Sequence, residues 1–351
     1  MKVVAVTGHA GFIGQRFLRA LEEIVRPDAI VGIDVRPSAY RARGLIDVVK
    51  DVRDPSLVDD LRAHGVDTMV HLAFILNPMF DEAEMASINL GGTENVTGAS
   101  GAAGVKHLVA MSSATAYGAH RDNPAALKED AALRAEPAFA YGYHKRRLEE
   151  ICWDFARRFP GVTVTTLRPC IVLGPHVDNY ISASFSGFPL APLLDGLSIP
   201  WQFVGEDDVA RAVALAVKAG LGGAFNVVGA GVLTTREMAK LRRVRTVKIP
   251  YRVAKSLNDF FWSRHLFPGR VAPSGILDYF RYPWVADGKK AAEKLGFVPS
   301  QSSYELFADV VLREQAKDAV NAQAPLLAKL RRAVEIARGR AMPPWAQSPR
   351  S

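Results

Sequence analysis

The chain is 351 residues long, 49% apolar and 23% charged, with a formal net charge of +8. That length slightly exceeds the size at which single cores divide, so one large and one smaller lobe are expected in a globular protein of ordinary composition. No apolar run is long enough for a membrane-spanning helix, and Cys152 and Cys170 share no metal or redox spacing, which excludes a disulfide framework and a zinc site and makes a reducing cytoplasm the expected compartment.

The start, MKVVAVTGHAGFIG, reads as a strand and a turn and not as a cleaved secretion signal. Strands are expected at Lys2–Thr7, Ala29–Asp34, Ile46–Lys50, Thr68–Ala73, His107–Ser112 and Thr163–Arg168, with a later one at Phe225–Val228. Short β-branched runs alternating with helix-length segments specify an α/β fold, a doubly wound parallel-sheet Rossmann domain. After Arg168 the alternation stops. Residues 174–202 are interrupted by prolines and glycines, and residues 250–300 are rich in aromatics without a clean period, among them Phe260, Phe261, Trp262, Tyr279 and Trp284. Both stretches are assigned to a smaller mixed α/β substrate lobe over the carboxyl edge of the sheet, the aromatics forming its core or an apolar pocket. The expected division is 1–170 with 203–230 for the Rossmann domain, 171–202 with 231–312 for the substrate lobe, and 313–351 for a basic helix or tail. After residue 312 eight basic residues face three acids, so most of the net charge belongs to the tail and is not a nucleic-acid footprint. Leu326–Arg340 mixes leucines with arginines as lipid-binding amphipathic helices do, although packing on the body is the commoner outcome.

The glycine loop Thr7-Gly8-His9-Ala10-Gly11-Phe12-Ile13-Gly14 follows the first strand and opens a helix. Gly8 permits the tight turn, Gly11 a close approach of backbone to a pyrophosphate, and Gly14 close helix packing, while the first helical amides face the anion. Asp34, twenty residues after Gly14 at the end of the second strand, is placed to accept hydrogen bonds from an adenosine ribose. The carboxylate selects NAD; Arg36, two residues on, would partly offset its repulsion of a 2′-phosphate and admit NADP.

Thr-Gly-x-x-Gly-x-x-Gly resembles the glycine loop of the extended short-chain dehydrogenases/reductases, in the NAD-dependent epimerase/dehydratase branch typified by UDP-glucose 4-epimerase. Further segments agree in order. Asp51-Val52-Arg53-Asp54 resembles the segment that contacts adenine, and His71-Leu72-Ala73 the end of the fourth strand. Asn89-Leu90-Gly91-Gly92-Thr93-Glu94-Asn95 resembles the Asn-x-x-Gly-Thr-x-Asn helix, and Ser112–Gly118 the serine strand-end. Tyr141-Gly142-Tyr143-His144-Lys145 supplies Tyr-x-x-x-Lys, and Leu167-Arg168-Pro169 begins a segment that runs through Cys170 to Gly174-Pro175. The resemblance spans roughly residues 1–312. It implies cofactor contacts from Gly8, Gly11, Phe12, Ile13, Gly14, Asp34, Arg36, Asp51, Val52, Leu72, Ala73, Asn89, Tyr141, Lys145 and Cys170, and a homodimer through the helices that hold Asn89 and Tyr141.

Tyr141 and Lys145 lie four residues apart and share a helix face. A free phenol has a pKa near 10, and lowering it by about three units takes about 4 kcal/mol, which a nearby ammonium can supply. Tyr141 is thus the expected base toward a secondary alcohol, Lys145 the group that lowers its pKa and binds the nicotinamide ribose, and Ser113 the donor to the reacting oxygen. His144 is expected on an exposed helix position, and Tyr117 to pack or to touch substrate. The expected function is hydride abstraction from a secondary alcohol carbon of a sugar or nucleotide-sugar-like substrate. Two alternatives remain open: a dehydrogenase of a hydrophobic alcohol, similar to 3β-hydroxysteroid dehydrogenases, and a non-catalytic dinucleotide-binding protein. The chain has Ile171 and Ser198–Phe203 where epimerases place an asparagine and an arginine for the nucleotide diphosphate, so Arg168, Arg211 or an arginine in 236–245 would have to replace them. No metal is expected at the site.

Overall fold

Alternation along the first strand, β1 (Val3–Thr7), sends Val4 and Val6 into one helical layer and Val3 and Ala5 into the other, as a two-residue period requires. The same pattern recurs in β2 (Ala29–Asp34), β3 (Leu45–Val49), β4 (Thr68–His71), β5 (His107–Met111), β6 (Thr163–Pro169) and the later β11 (Gly223–Val227). These seven pair in parallel in the order β11-β6-β5-β4-β1-β2-β3. All seven expected strands are present with ends shifted by no more than two residues. The computed structural model describes residues 2–177, 190–266 and 271–323, with side chains through residue 316; the amphipathic segment Leu326–Arg340 lies outside them.

Helices cover both faces. Phe17, Leu18 and Leu21 of α1 (Phe12–Ile24) share one core cluster with Val209, Val213 and Val217 from a later helix. On the opposite face Leu57 and Leu61 of α2 (Leu57–Ala63) meet two helices that follow the short α3 (Glu82–Ala86). These are α4 (Gly92–Ala103), through Val96, and α5 (Ala140–Arg158), through Leu148, Cys152 and Phe155. The later helix on the first face is α6 (Glu206–Ala219). The strand order reverses between β1 and β4, and in such sheets the carboxyl ends at that point open a crevice.

Outside the sheet, short strands pair in twos: β7 (Ile171–Leu173) with β10 (Phe203–Gly205), β8 (Leu190–Leu194) with β13 (Arg245–Ile249), and β9 (Pro200–Trp201) with β12 (Leu233–Thr234). Helix α7 (Thr235–Leu241) opens with a capping box between Thr234 and Glu237, and α8 (Tyr251–Ser263) follows. Trp201, Tyr279 and Trp284 from this part belong to the same buried cluster as Val4 and Phe17, so the hydrophobic core runs unbroken from the sheet into the region expected as a lobe. The aromatics of 250–300 divide: Tyr279 and Trp284 are core, whereas Phe260 is half exposed on a helix with no buried residue.

An ion pair within the core links sheet and helix. The Arg168 guanidinium, at the end of β6, donates to both Glu149 carboxylate oxygens at 2.7 Å, to the Tyr117 hydroxyl at 2.7 Å and to the Glu129 carbonyl at 3.0 Å. Tyr117 donates in turn to Asn226 Oδ1 at 2.8 Å. Arg168 is therefore consumed inside the fold and is not the diphosphate ligand considered for it, and Tyr117 is fully buried in the core. Glu149→Ala leaves a guanidinium buried without its counter-charge and should destabilise the chain by about 3–5 kcal/mol in urea unfolding; a loss under about 1 kcal/mol would show that the pair does not hold the core.

Candidate active site

Thr7 ends β1, and Gly8 turns the chain with a φ of +72°. A Cβ at Gly8 would lie 2.6 Å from the Ala73 amide nitrogen, and one at Gly14 would lie 2.2 Å from the Gly8 carbonyl oxygen. Gly14 thus lets the first turn of α1 settle on the loop itself, not on a strand. Gly11 is the extended N-cap residue, and the first turn, which includes Phe12 and Ile13, carries no acidic side chain; its amides and the helix dipole suit a phosphate. Asp34 Oδ2 accepts from the Ala10 amide at 3.2 Å, which holds the ribose-type carboxylate against the loop. Leu72 N donates to the Thr7 carbonyl at 3.1 Å and Ala73 N to Thr7 Oγ1 at 3.3 Å. Arg36 is exposed beyond Asp34.

His9 was not singled out from the sequence, yet it braces this loop. Its ring is fully buried, with Nε2 2.6 Å from Asp47 Oδ1 on β3, and it passes β2 at Gly32, where a Cβ would lie 2.4 Å from the ring. Asp47 also accepts from the Ser38 amide at 3.1 Å and from Arg41 at 2.5 Å. The signal was present in Gly32: glycine inside a strand marks a close approach by another group.

Val52 is buried with Gly92 against it, and its carbonyl accepts from Asn95 at 2.8 Å. The Asp51 carboxylate is taken by Arg53 at 2.8 Å, which also reaches Glu84 at 3.0 Å. Asn89 sits in a π-helical turn, Ser87–Gly91, between α3 and α4, a one-residue insertion of the kind that re-aims a side chain. Its side-chain amide accepts from Ile75 N at 2.7 Å, donates to Ile75 O at 3.1 Å and lies 3.3 Å from His144 Nδ1. His144 is buried, contrary to expectation, because this turn covers its helix position; burial holds its pKa below the usual histidine value. Below them a hydroxyl–imidazole chain runs from Thr7 Oγ1 to His71 Nδ1 (2.7 Å), from His71 Nε2 to Thr93 Oγ1 (3.1 Å), and from Thr93 Oγ1 to the Asn89 carbonyl (2.6 Å). Burial and the Lys145 charge hold His71 at about 3, so it stays neutral.

Ser113 follows β5 and caps a 3₁₀ turn, accepting from Thr115 N at 3.2 Å. It also draws the pKa of Tyr141, on the first turn of α5, downward. One turn on, Lys145 is buried; its ammonium donates to the Met111 carbonyl at 2.6 Å and lies 3.4 Å from the centroid of the Phe74 ring. Phe74 in turn meets Tyr141 edge-on at 5.9 Å. The expected lowering of the phenol pKa does not occur in this arrangement. Burial pushes Tyr141 up to about 12, against a downward pull from Ser113, and burial draws Lys145 down to about 7. The cause is orientation: the ammonium is turned to a carbonyl and an aromatic face, 5.8 Å from the centroid of the Tyr141 ring.

Ser112 Oγ and Thr115 Oγ1, on either side of Ser113, are buried without a hydrogen-bond partner. Cys170 is buried after β6, and burial raises its thiol to about 12. A small pocket lies beside Tyr141, lined by Pro78, Met79, Met85, Phe139 and Pro273, with Glu82 as its charged member. Arg211 donates to Asp208 and to the Val298 carbonyl. Among the described residues no cluster of His, Cys, Asp or Glu could hold a metal. The glycine cradle, Asp34 and Ser113 thus follow or end strands of one sheet at their carboxyl ends, Tyr141 and Lys145 come from α5, Arg36 is exposed and the Asp51 carboxylate is paired with Arg53.

Known proteins resemble this chain over most of its length. An uncharacterised protein of Mycobacterium tuberculosis is 27% identical over 88% of this chain and 83% of its own length. The N-acetyl-alpha-D-glucosaminyl-diphospho-ditrans,octacis-undecaprenol 4-epimerase of Escherichia coli is 30% identical over 49% of each chain. Among solved structures, MoeE5 in complex with UDP-glucuronic acid and NAD superposes with a TM-score of 0.66 at 25% identity, covering 90% of this chain and 99% of that one. Residues 4–228 match the NAD dependent epimerase/dehydratase family, and the chain belongs to that family.

Proposed function

We propose that the chain binds NAD along the carboxyl ends of β1, β2 and β4 and oxidises a secondary alcohol carbon of a sugar, free or carried on a nucleotide. The observation that carries this reading is the grouping of Ser113, which follows β5, with Tyr141 on the first turn of α5 and Lys145 one helical turn further on. The glycine cradle and the first turn of α1 fit a pyrophosphate, and Asp34 fits the adenosine ribose. Bound there, NAD supplies the hydride acceptor. Tyr141 removes the substrate's hydroxyl proton, and Ser113 donates to the same oxygen. Bringing a phenol from about 12 toward neutrality takes several kcal/mol at about 1.4 kcal/mol per pKa unit, and one charge at about 4 Å contributes about 4 kcal/mol at an effective dielectric of about 20. Lys145 is placed to contribute that charge once its ammonium turns from Met111 toward the phenol.

A sugar is favoured by the family and by MoeE5, whose structure holds UDP-glucuronic acid and NAD. The second reading, oxidation of a hydrophobic alcohol, is favoured by the apolar lining of the pocket beside Tyr141. Incubation with UDP-glucose and dTDP-glucose, with products separated by chromatography and NADH followed by absorbance, distinguishes them: an epimer or keto-sugar supports the first, and turnover confined to apolar alcohols with release of NADH supports the second. A homodimer through α4 and α5 and a cytoplasmic location are part of the proposal. No helix among the described residues is long and apolar enough to cross a membrane.

Tyr141→Phe should lower turnover by about 10²–10⁴ while leaving NAD affinity, measured by calorimetry, nearly unchanged; full turnover in the variant would remove Tyr141 as the base. Asp34→Ala should weaken NAD more than NADP, and equal losses would show that the carboxylate does not read the ribose. The unfolded lysine holds its proton to about 10.4 whereas buried Lys145 releases it at about 7, so the unfolded state binds the extra proton between these values and stability rises with pH. The urea midpoint should therefore climb between about pH 7 and 8, at up to about 1.4 kcal/mol per unit, and that climb should shrink in Lys145→Met. Above it buried Cys152 and Cys170, whose pKa values are raised by desolvation, oppose the trend.

A further inference from the structure

Helix α8 runs for 13 residues, none of them buried. Val253, Leu257 and Phe260 follow at spacings of four and three and so share one face, with exposures of 49%, 52% and 51%. Arg264 continues that face, its guanidinium 5.6 Å from the centroid of the Phe260 ring, and exposed Leu266 follows. Arg252 and Lys255 are exposed on the same helix, and its single acid, Asp259, is engaged by Lys255 at 2.6 Å.

Tethers, not a core, hold the helix to the body. Tyr251 N donates to Asp195 at 2.9 Å, and the Arg281 guanidinium lies 4.5 Å from the Tyr251 ring centroid. Asn258 donates to the Ala272 carbonyl at 2.8 Å, and Phe80 packs on Trp262 and His265 at 4.8 and 4.1 Å. The last two attachments bracket the pocket beside Tyr141: Ala272 adjoins Pro273 and Phe80 adjoins Met79, both of which line it.

An apolar stripe edged by arginines matches a surface that is anionic outside and apolar within. A second copy seated on the same stripe about a twofold axis would instead set the arginines of one copy against those of the other. We propose that α8 is a docking surface for an anionic lipid bilayer, and that docking sets the pocket beside Tyr141 at the membrane surface. The docking does not depend on the catalytic reading above.

The test is flotation of the full chain with vesicles of phosphatidylglycerol and phosphatidylcholine, and with phosphatidylcholine alone. The chain should float with the anionic vesicles, and Leu257→Glu combined with Phe260→Glu should lower partitioning at least about tenfold. Calorimetry with NAD should be unchanged and the melting temperature should fall little in that variant, since neither side chain belongs to the buried core. Arg252→Glu with Arg264→Glu should abolish the preference for anionic vesicles. The proposal fails if the wild type does not float, if the Leu257/Phe260 variant floats equally well, or if light scattering shows that this variant dissociates an oligomer. None of these readouts requires turnover, so failure of the catalytic proposal leaves them intact.

Discussion

The contact between Arg168 and Glu149 sets where α5, which carries Tyr141 and Lys145, lies on the sheet. Two charges removed from water incur a large desolvation penalty, which is offset only by close geometry and by further hydrogen bonds to the remaining polar atoms. Both conditions hold: the guanidinium meets both carboxylate oxygens, Thr166 donates to one of them at 3.1 Å, and Tyr117 and the Glu129 carbonyl take the remaining guanidinium edge. Glu149 stands one turn beyond Lys145 on α5, so fixing it on β6 fixes the height at which Tyr141 meets Ser113. Asn226 extends the same network, donating to the Leu127 and Asp287 carbonyls, both at 3.0 Å. One connected set of polar groups therefore ties β6, β11, α5 and the segment before α9 (Lys289–Leu295) into a single arrangement.

Proton affinities at the site follow from the same enclosure. Desolvation favours the neutral form of every group there, which raises the phenol and lowers both the ammonium and the imidazole of His71. The Phe74 face and the Met111 carbonyl partly compensate Lys145 for lost water, and cation–π contacts are strongest where water is excluded. In this state the site stores a proton on tyrosine and keeps its lysine close to the point of losing one.

The strands and the glycine cradle were legible in the sequence because both are local patterns: a period of two, a turn requiring glycine, and a carboxylate at the end of the next strand. Contacts between distant segments were not. His144 sits where a surface residue is plausible on a helix wheel, and only the π-helical turn carrying Asn89, 55 residues away, buries it. The aromatics of 250–300 gave one compositional signal for two outcomes, since Tyr279 is anchored to the Thr115 carbonyl at 2.6 Å while the α8 rings remain at the surface. The orientation of Lys145 was equally hidden, because a shared helix face specifies proximity to Tyr141 and says nothing of a competing carbonyl on β5.

Beneath the glycine loop, His9 crosses under β2 to Asp47, and Asp47 also holds the Ser38 amide in the segment after Asp34. The parts of the cleft suited to a phosphate and to a ribose are thus mechanically one object, braced from below by a single imidazole–carboxylate contact. A disturbance on the third strand, outside every recognisable motif, is transmitted to both. The glycine loop and the segment after Asp34 are consequently set by three strands acting together, one of them the edge strand of the sheet.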